Sequence, residues 1–250
     1  MAINKSAKLY VAGYSGLVSS AVVLILAEVD GIHANATFPG DFLIINLQIQ
    51  TNVITSSISH NVKKLVFHGS FPTNEWYAIV KISGMKTCEA YKIQNNFNAI
   101  SLMPTNLYGP NDNFHPENSH VLPGLLRRFH EAKMRQDVKV VVWGSVSPLR
   151  EFLHVDDLAD VVVFCMEEYD GLEYVNVGGG KEVGTKELAE LVKEVVGSEG
   201  EIVWDGPKPD GTPRKLMDSS KLAKMGWEAK TSLRDGLVDT YKWYLENVKQ

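Results

Sequence analysis

The chain has 250 residues, 44% apolar and 22% charged, with 30 acidic against 25 basic side chains; this is an ordinary globular composition that excludes disorder, collagen and coiled coil. A net charge of -5 argues against a nucleic-acid surface, which needs a clustered basic face. No apolar stretch approaches the ~18 residues of a membrane helix, and residues 1–10 lack the charged start and apolar core of a signal peptide, so a cytoplasmic protein without membrane contact is expected. Cys88 and Cys165 lie far apart without metal-like spacing, and neither a disulfide nor a metal site is expected from them.

In chain order, residues 8–12 (KLYVA) form a short β-prone run that ends in Gly13-Tyr14-Ser15-Gly16-Leu17-Val18-Ser19. A strand followed by such a turn offers backbone N–H groups and a helix start to a phosphate. A plain β-turn accounts for the same residues equally well. Residues 21–27 (AVVLILA) are apolar all round and fit a buried strand or a buried helix, the β-branched content favouring the strand. A strand there leaves too short a crossover, whereas a helix leaves no strand after it. On both readings one βα unit of the usual pattern is missing.

Beyond this point the pattern is regular. Residues 41–60 read as a helix with Phe42, Ile45, Ile49 and Val53 on one side, and 64–68 as a strand ending in Gly69-Ser70. Pro72-Thr73-Asn74-Glu75 starts a helix that runs to about Asn95. Strands are expected at 99–103, 138–143 and 174–177, and helices at 121–133, 155–169, 185–196 and 233–247, with Leu188, Leu191, Val192 and Val195 facing inward. Residues 104–110 are read as a loop. The alternation predicts an α/β protein built on a Rossmann-like doubly wound parallel sheet, shortened.

Tyr77 and Lys81 stand four apart on one helix and share a face. A lysine ammonium beside a phenol favours phenolate and makes the tyrosine a usable general acid. A surface pair has the same spacing, but this helix directly follows a strand whose C-terminal end carries Ser70, and ligands of open α/β sheets bind at those ends. Serine hydroxyl, tyrosine hydroxyl and ammonium would converge there on one carbonyl oxygen.

PTNEWYA at 72–78, MPTNLYGP at 103–110, DNFHP at 112–116, NSHV at 118–121, LRRFHE at 126–131, REFLHVDD at 150–157 and DGTPRK at 210–215 closely resemble the GDP-L-fucose synthases. These are NADPH-dependent 3,5-epimerase/4-reductases of GDP-4-keto-6-deoxy-D-mannose in the extended short-chain dehydrogenase/reductase superfamily. The resemblance covers nearly all of residues 30–250 and the first strand and turn. It implies that Tyr77 protonates the C4 oxygen as hydride arrives, that Lys81 tunes it and holds the nicotinamide ribose, and that Ser70 polarises the carbonyl. It gives His120 the role of acid in the epimerisation, suited to an imidazole near half-charge at working pH. NADP would be held by Gly13, Tyr14, Ser15, Gly16, Leu17, Val18, Ser70, Lys81, Pro104, Thr105, Asn106, Leu107 and His120. Arg128, Trp143, Arg150 and Asp210 match positions that hold the GDP-sugar. Their bland alternatives are a solvated helix face for Arg128, core packing for Trp143, and pairing with Asp156 or Asp157 for Arg150. The relatives are homodimers.

The chain also departs from the family pattern. Ser15 stands where the family has a basic residue, and the second-strand region with its 2′-phosphate arginine is absent. Phe71 and Pro72 follow Ser70 directly, where the family has a long segment carrying the cysteine that acts as epimerisation base. Cys88, nearly two turns beyond Lys81, is a poor substitute. Epimerisation is therefore expected to suffer more than reduction, and a non-catalytic GDP-sugar-binding protein is the alternative reading. Residues 1–107 are read as the cofactor domain, short of about one βα unit near 19–30 and of a segment after Ser70. Residues 108–250 are mainly the GDP-sugar domain, with 150–180 returning to the Rossmann sheet.

Overall fold

The computed structural model describes residues 39–70, 75–116, 119–144, 147–206 and 214–248. The expected first strand, the Gly13–Val18 turn, the apolar run at 21–27, the helix start at 72–74 and Asp210 lie outside them. The chain divides into two units, the first taking residues up to Pro104 with Leu158–Val177 and Asp218–Glu228, the second taking Thr105–Asp157, Gly178–Met217 and the residues from Ala229 onward.

In the first unit, α1 (Pro39–Ser59), β1 (Leu65–His68), α2 (Glu75–Asn95) and β2 (Ala99–Pro104) follow one another in βα order. β1 pairs in parallel with β2, Leu65 opposite Ala99 and His68 opposite Leu102. β2 pairs in parallel with β6 (Val175–Val177), Leu102 opposite Val175. β2 is buried on both faces for five of its six residues, as the central strand of an all-parallel sheet should be.

The face of α1 departs from expectation. Ile45 is exposed and Ile49 and Val53 are half-buried, while the buried side carries Asn46, Gln50 and Ile54. The reason is polar: the Gln50 amide donates to the Val80 carbonyl at 2.9 Å and to Ser83 Oγ at 2.7 Å, so an amide rather than an aliphatic side chain faces α2.

α4 (Val155–Glu168) ends in this unit, and its last turn has carbonyls without helical partners. Lys64, just before β1, donates to the Met166 carbonyl at 2.8 Å, to the Tyr169 carbonyl at 2.6 Å and to Asp170 Oδ1 at 2.9 Å. A cation at a helix C-terminus also opposes the helix dipole favourably.

The second unit holds β3 (Asn106–Tyr108), α3 (Val121–Arg135), β4 (Lys139–Trp143), β5 (Leu149–His154), β7 (Glu182–Gly184), α5 (Thr185–Val196), β8 (Glu201–Asp205), β9 (Arg214–Lys215) and α7 (Leu233–Asn247). The short α6 (Ser220–Lys224) belongs to the first unit. β5 pairs in parallel with β3 and β9 and antiparallel with β7, while β4 and β8 form a separate parallel pair. α3, α5 and α7 share one core containing Leu122, Leu126, Phe129, Leu188, Val192, Leu237 and Tyr241. On α5 Leu188 and Val192 are buried as expected, with Leu191 and Val195 packed at the edge. α3 ends on Gln136 at φ 58 and α5 on Gly197 at φ 70, both left-handed caps. The segment at 104–110, read as a loop, contains β3.

Replacing Lys64 with Met should remove three charge-assisted hydrogen bonds while keeping the aliphatic stem. We expect a loss of about 1.5–3 kcal/mol, read as a lower urea midpoint at neutral pH. An unchanged midpoint would show that water satisfies the carbonyls at the end of α4 equally well.

Candidate active site

In the first unit the reacting groups are positioned by close backbone approach. A Cβ on Gly84 would lie 2.2 Å from Phe67 Cζ, and one on Gly69 would lie 2.3 Å from Met103 Sδ and 2.4 Å from Met85 Sδ. Glycine at 84 thus lets α2 settle onto β1. Glycine at 69, whose N–H donates to the Leu102 carbonyl at 2.8 Å, lets the chain leave β1 beside that helix. One turn before Gly84, the Lys81 ammonium lies 5.6 Å from the centroid of Phe67 and 5.4 Å from that of Tyr77. The Tyr-x-x-x-Lys pair therefore meets as the spacing predicted, with Ser70, half-buried, at the exit of β1.

Sequence reasoning missed His68. Strand alternation turns it to the sheet face opposite Phe67. Its Nδ1 is buried without a hydrogen-bond partner among the described residues, and burial, helped by the Lys81 ammonium, pushes its pKa down to about 4. Neither cysteine is a reactive thiol. Both are buried, and burial pushes Cys88 up to about 12 and Cys165 up to about 11.

The second unit carries the cationic residues. His120 occupies the N-cap position of α3, but its side chain makes no capping hydrogen bond. The residue as a whole is exposed, but burial of its imidazole and then the Lys215 ammonium hold the ring below its ordinary pKa. Arg127 is tied down locally, donating to Glu131 at 2.6 Å and to the Phe114 carbonyl at 2.9 Å. Arg128 instead donates to the Val141 carbonyl at 2.9 Å, which holds it across β4. Trp143 ends β4 opposite Asp205. Arg150 donates to the Leu149 carbonyl at 2.9 Å. Asp157 accepts the N–H groups of Lys230 and Thr231 at 3.2 and 3.0 Å.

Thr105 and Asn106, expected at the cofactor, both donate to the main-chain carbonyl of Glu151, at 3.2 and 2.8 Å. Nothing in the DGTPRK motif marks Lys215 apart from its neighbours. It lies opposite Arg150 in the β5–β9 pair, and burial together with Arg150 lowers its pKa.

The Lys81 environment suits a nicotinamide ribose. Its described surroundings are two aromatic rings without a carboxylate, so its N–H donors can meet hydroxyl groups. Among the described residues no group of three His, Cys, Asp or Glu side chains could hold a metal ion, and no helix is long and apolar enough to cross a membrane.

The chain belongs to the NAD dependent epimerase/dehydratase family, whose sequence pattern matches residues 14–178. It is 56% identical to GDP-L-fucose synthase 1 of Arabidopsis thaliana over 307 aligned positions, covering 98% of this chain and 95% of the relative. Those positions outnumber the 250 residues here, so the relative has residues without a counterpart in this chain. It is 62% identical to probable GDP-L-fucose synthase 1 of Oryza sativa subsp. japonica, covering 91% of this chain and 76% of the relative. A crystal structure of a GDP-L-fucose synthetase from Naegleria fowleri bound to NADP matches with a TM-score of 0.82 at 27% identity, over 88% of this chain and 75% of that one. These likenesses place the chain among the GDP-L-fucose synthases.

The depressed pKa of His68 has a consequence for stability. Its folded-state pKa lies below the unfolded value of ~6.5, so the unfolded chain takes up a proton first. The contribution of neutral His68 is present above pH ~6.5 and is lost as pH falls towards about 4. Urea midpoints at pH 7, 5.5 and 4.5 should therefore fall less steeply in His68→Leu than in the wild type. Parallel curves would show that His68 takes up its proton equally in both states.

Proposed function

We propose that this chain converts GDP-4-keto-6-deoxy-D-mannose to GDP-L-fucose with NADPH, by 3,5-epimerisation followed by reduction of the 4-keto group. The observation that carries the proposal is the meeting of Lys81 and Tyr77 beside the exit of β1, in a chain 56–62% identical to GDP-L-fucose synthases. The bound cofactor supplies the hydride.

Lys81 holds the ribose hydroxyls and stabilises charge on the Tyr77 phenol. Tyr77 delivers a proton to the C4 oxygen as it gains negative charge, and Ser70 donates a hydrogen bond to the same oxygen; a positioned acid typically contributes ~10²–10⁴-fold. In the second unit Arg128 and Arg150 supply positive charge for the diphosphate of the GDP-sugar. Trp143 and Asp210 complete that set by resemblance, as a stacking ring and an acceptor for ribose hydroxyls.

Family resemblance supports His120 as the acid of the epimerisation, which needs a base on the opposite face of the sugar carbon as well. The lowered imidazole pKa makes the protonated acid scarcer at neutral pH, and the two cysteines, as raised and buried thiols, do not supply the base, so epimerisation is the weaker of the two half-reactions. Family resemblance also supports a homodimer working in the cytoplasm.

Tyr77→Phe tests the assignment, because it removes one hydroxyl and keeps the ring against Lys81. NADPH oxidation with the 4-keto sugar should fall by about 10²- to 10⁴-fold, while GDP affinity measured by calorimetry stays the same. Turnover at the wild-type rate would remove Tyr77 from the mechanism.

A further inference from the structure

Glu151 is 0% exposed, and a carboxylate taken out of water needs compensating donors. It finds them in backbone. Oε1 accepts the Gly180 N–H at 2.7 Å and Oε2 the Met217 N–H at 3.3 Å. The chain has room to wrap this group only because residue 178 has no side chain, since a Cβ there would sit 2.4 Å from Oε1.

The main-chain carbonyl of the same residue accepts the Asn106 amide at 2.8 Å, which turns Asn106 Oδ1 towards Lys215 Nζ at 3.3 Å. Lys215 is thus held from two directions. Its side chain is held through Asn106, and its backbone is held through Met217, two residues on. β9 is only two residues long, so its own ladder bonds give it little hold.

Lys215 stands directly opposite Arg150 in a parallel pair, where both side chains leave the same face. Like charges so placed repel, and among the described residues the partner of Lys215 is a neutral amide. Such a pair suits a ligand with adjacent negative charges.

We infer that Glu151 is a positioning residue, which sets the Lys215 ammonium beside Arg150 so that the two cations together grip the diphosphate of the nucleotide sugar. The inference rests on the nucleotide-sugar role proposed above for this unit. Glu151 touches neither substrate nor cofactor in this account, and it acts through Lys215.

A double-mutant cycle read by calorimetry with GDP tests it. Lys215→Met should weaken GDP binding about 10- to 100-fold, the range for one charge-assisted contact. Glu151→Gln, which keeps the volume but presents an NH₂ to one of the two N–H donors, should weaken it about tenfold. In the Glu151→Gln background Lys215→Met should cost no more than about threefold further, because the ammonium is already misplaced, whereas Arg128→Met should cost the same in both backgrounds. General loosening of the unit would not produce coupling confined to Lys215. Should Glu151→Gln fail to fold, Asn106→Ala cuts the other hold on the ammonium and must show the same coupling. Additive losses at 151 and 215 would overturn the inference while leaving the function intact. A wild-type chain that does not bind GDP would overturn the nucleotide-sugar role and this inference with it.

Discussion

The close approach of helix α2 to strand β1 is the constraint on which the proposed chemistry depends. A parallel sheet brings its strand ends to one edge, but a side chain on a neighbouring helix reaches that edge only if the helix lies near the strand. Gly84 permits that distance against Phe67, and Gln50 fixes α2 along its axis by binding Val80 and Ser83. Tyr77 and Lys81 then stand one turn apart on the helix that follows β1, the ammonium over the Phe67 and Tyr77 rings. A methyl group at residue 84 would meet the Phe67 ring and the Gln50 amide oxygen, so the ring, the amide or the helix would have to shift.

The second unit meets a different requirement, that of holding cations together without a ligand to separate them. Arg128 uses a carbonyl of β4, and Lys215 uses a side-chain amide. These acceptors are neutral, so each of the two bonds orients its cation without itself cancelling the charge. The carboxylates near them are spent on backbone. Glu151 takes two N–H groups, and Asp157 takes two more from the chain entering α7. On the same sheet Arg214 of β9 is paired with Glu182 of β7 at 2.7 Å, whereas Lys215 beside it meets the Asn106 amide.

The long helices were legible in the sequence because their signals are local. α5 and α7 have the expected bounds, helped by a glycine after one and Ser232 before the other, whose hydroxyl accepts the Asp235 N–H. β3, β7 and β9, of two or three residues each, are too short for any periodicity to register, and only their partners on β5 make them strands. The apolar face assigned to α1 was displaced because Asn46 and Gln50 are buried by a helix thirty residues away in sequence, which a count of aliphatic residues ignores. Of the candidate site, the Tyr77–Lys81 meeting follows from a four-residue spacing. Lys215 and Glu151 become visible only when β9 is laid beside β5, since nothing within either segment marks them. His68 likewise reads as an ordinary strand-end residue until its Nδ1 is found buried without a partner among the described residues.

The proposed function stands or falls on whether Tyr77 and Lys81 of α2 serve a 4-keto reduction by NADPH. The most direct measurement incubates the chain with GDP-4-keto-6-deoxy-D-mannose and NADPH in deuterated water and follows NADPH absorbance and product NMR together. If that function holds, one NADPH should be oxidised per sugar reduced, with deuterium at C3 and C5 confined to the share of product epimerised to GDP-L-fucose before reduction. Calorimetric binding of both ligands with no NADPH oxidised would contradict it, because the reacting groups would then be present without performing the reduction.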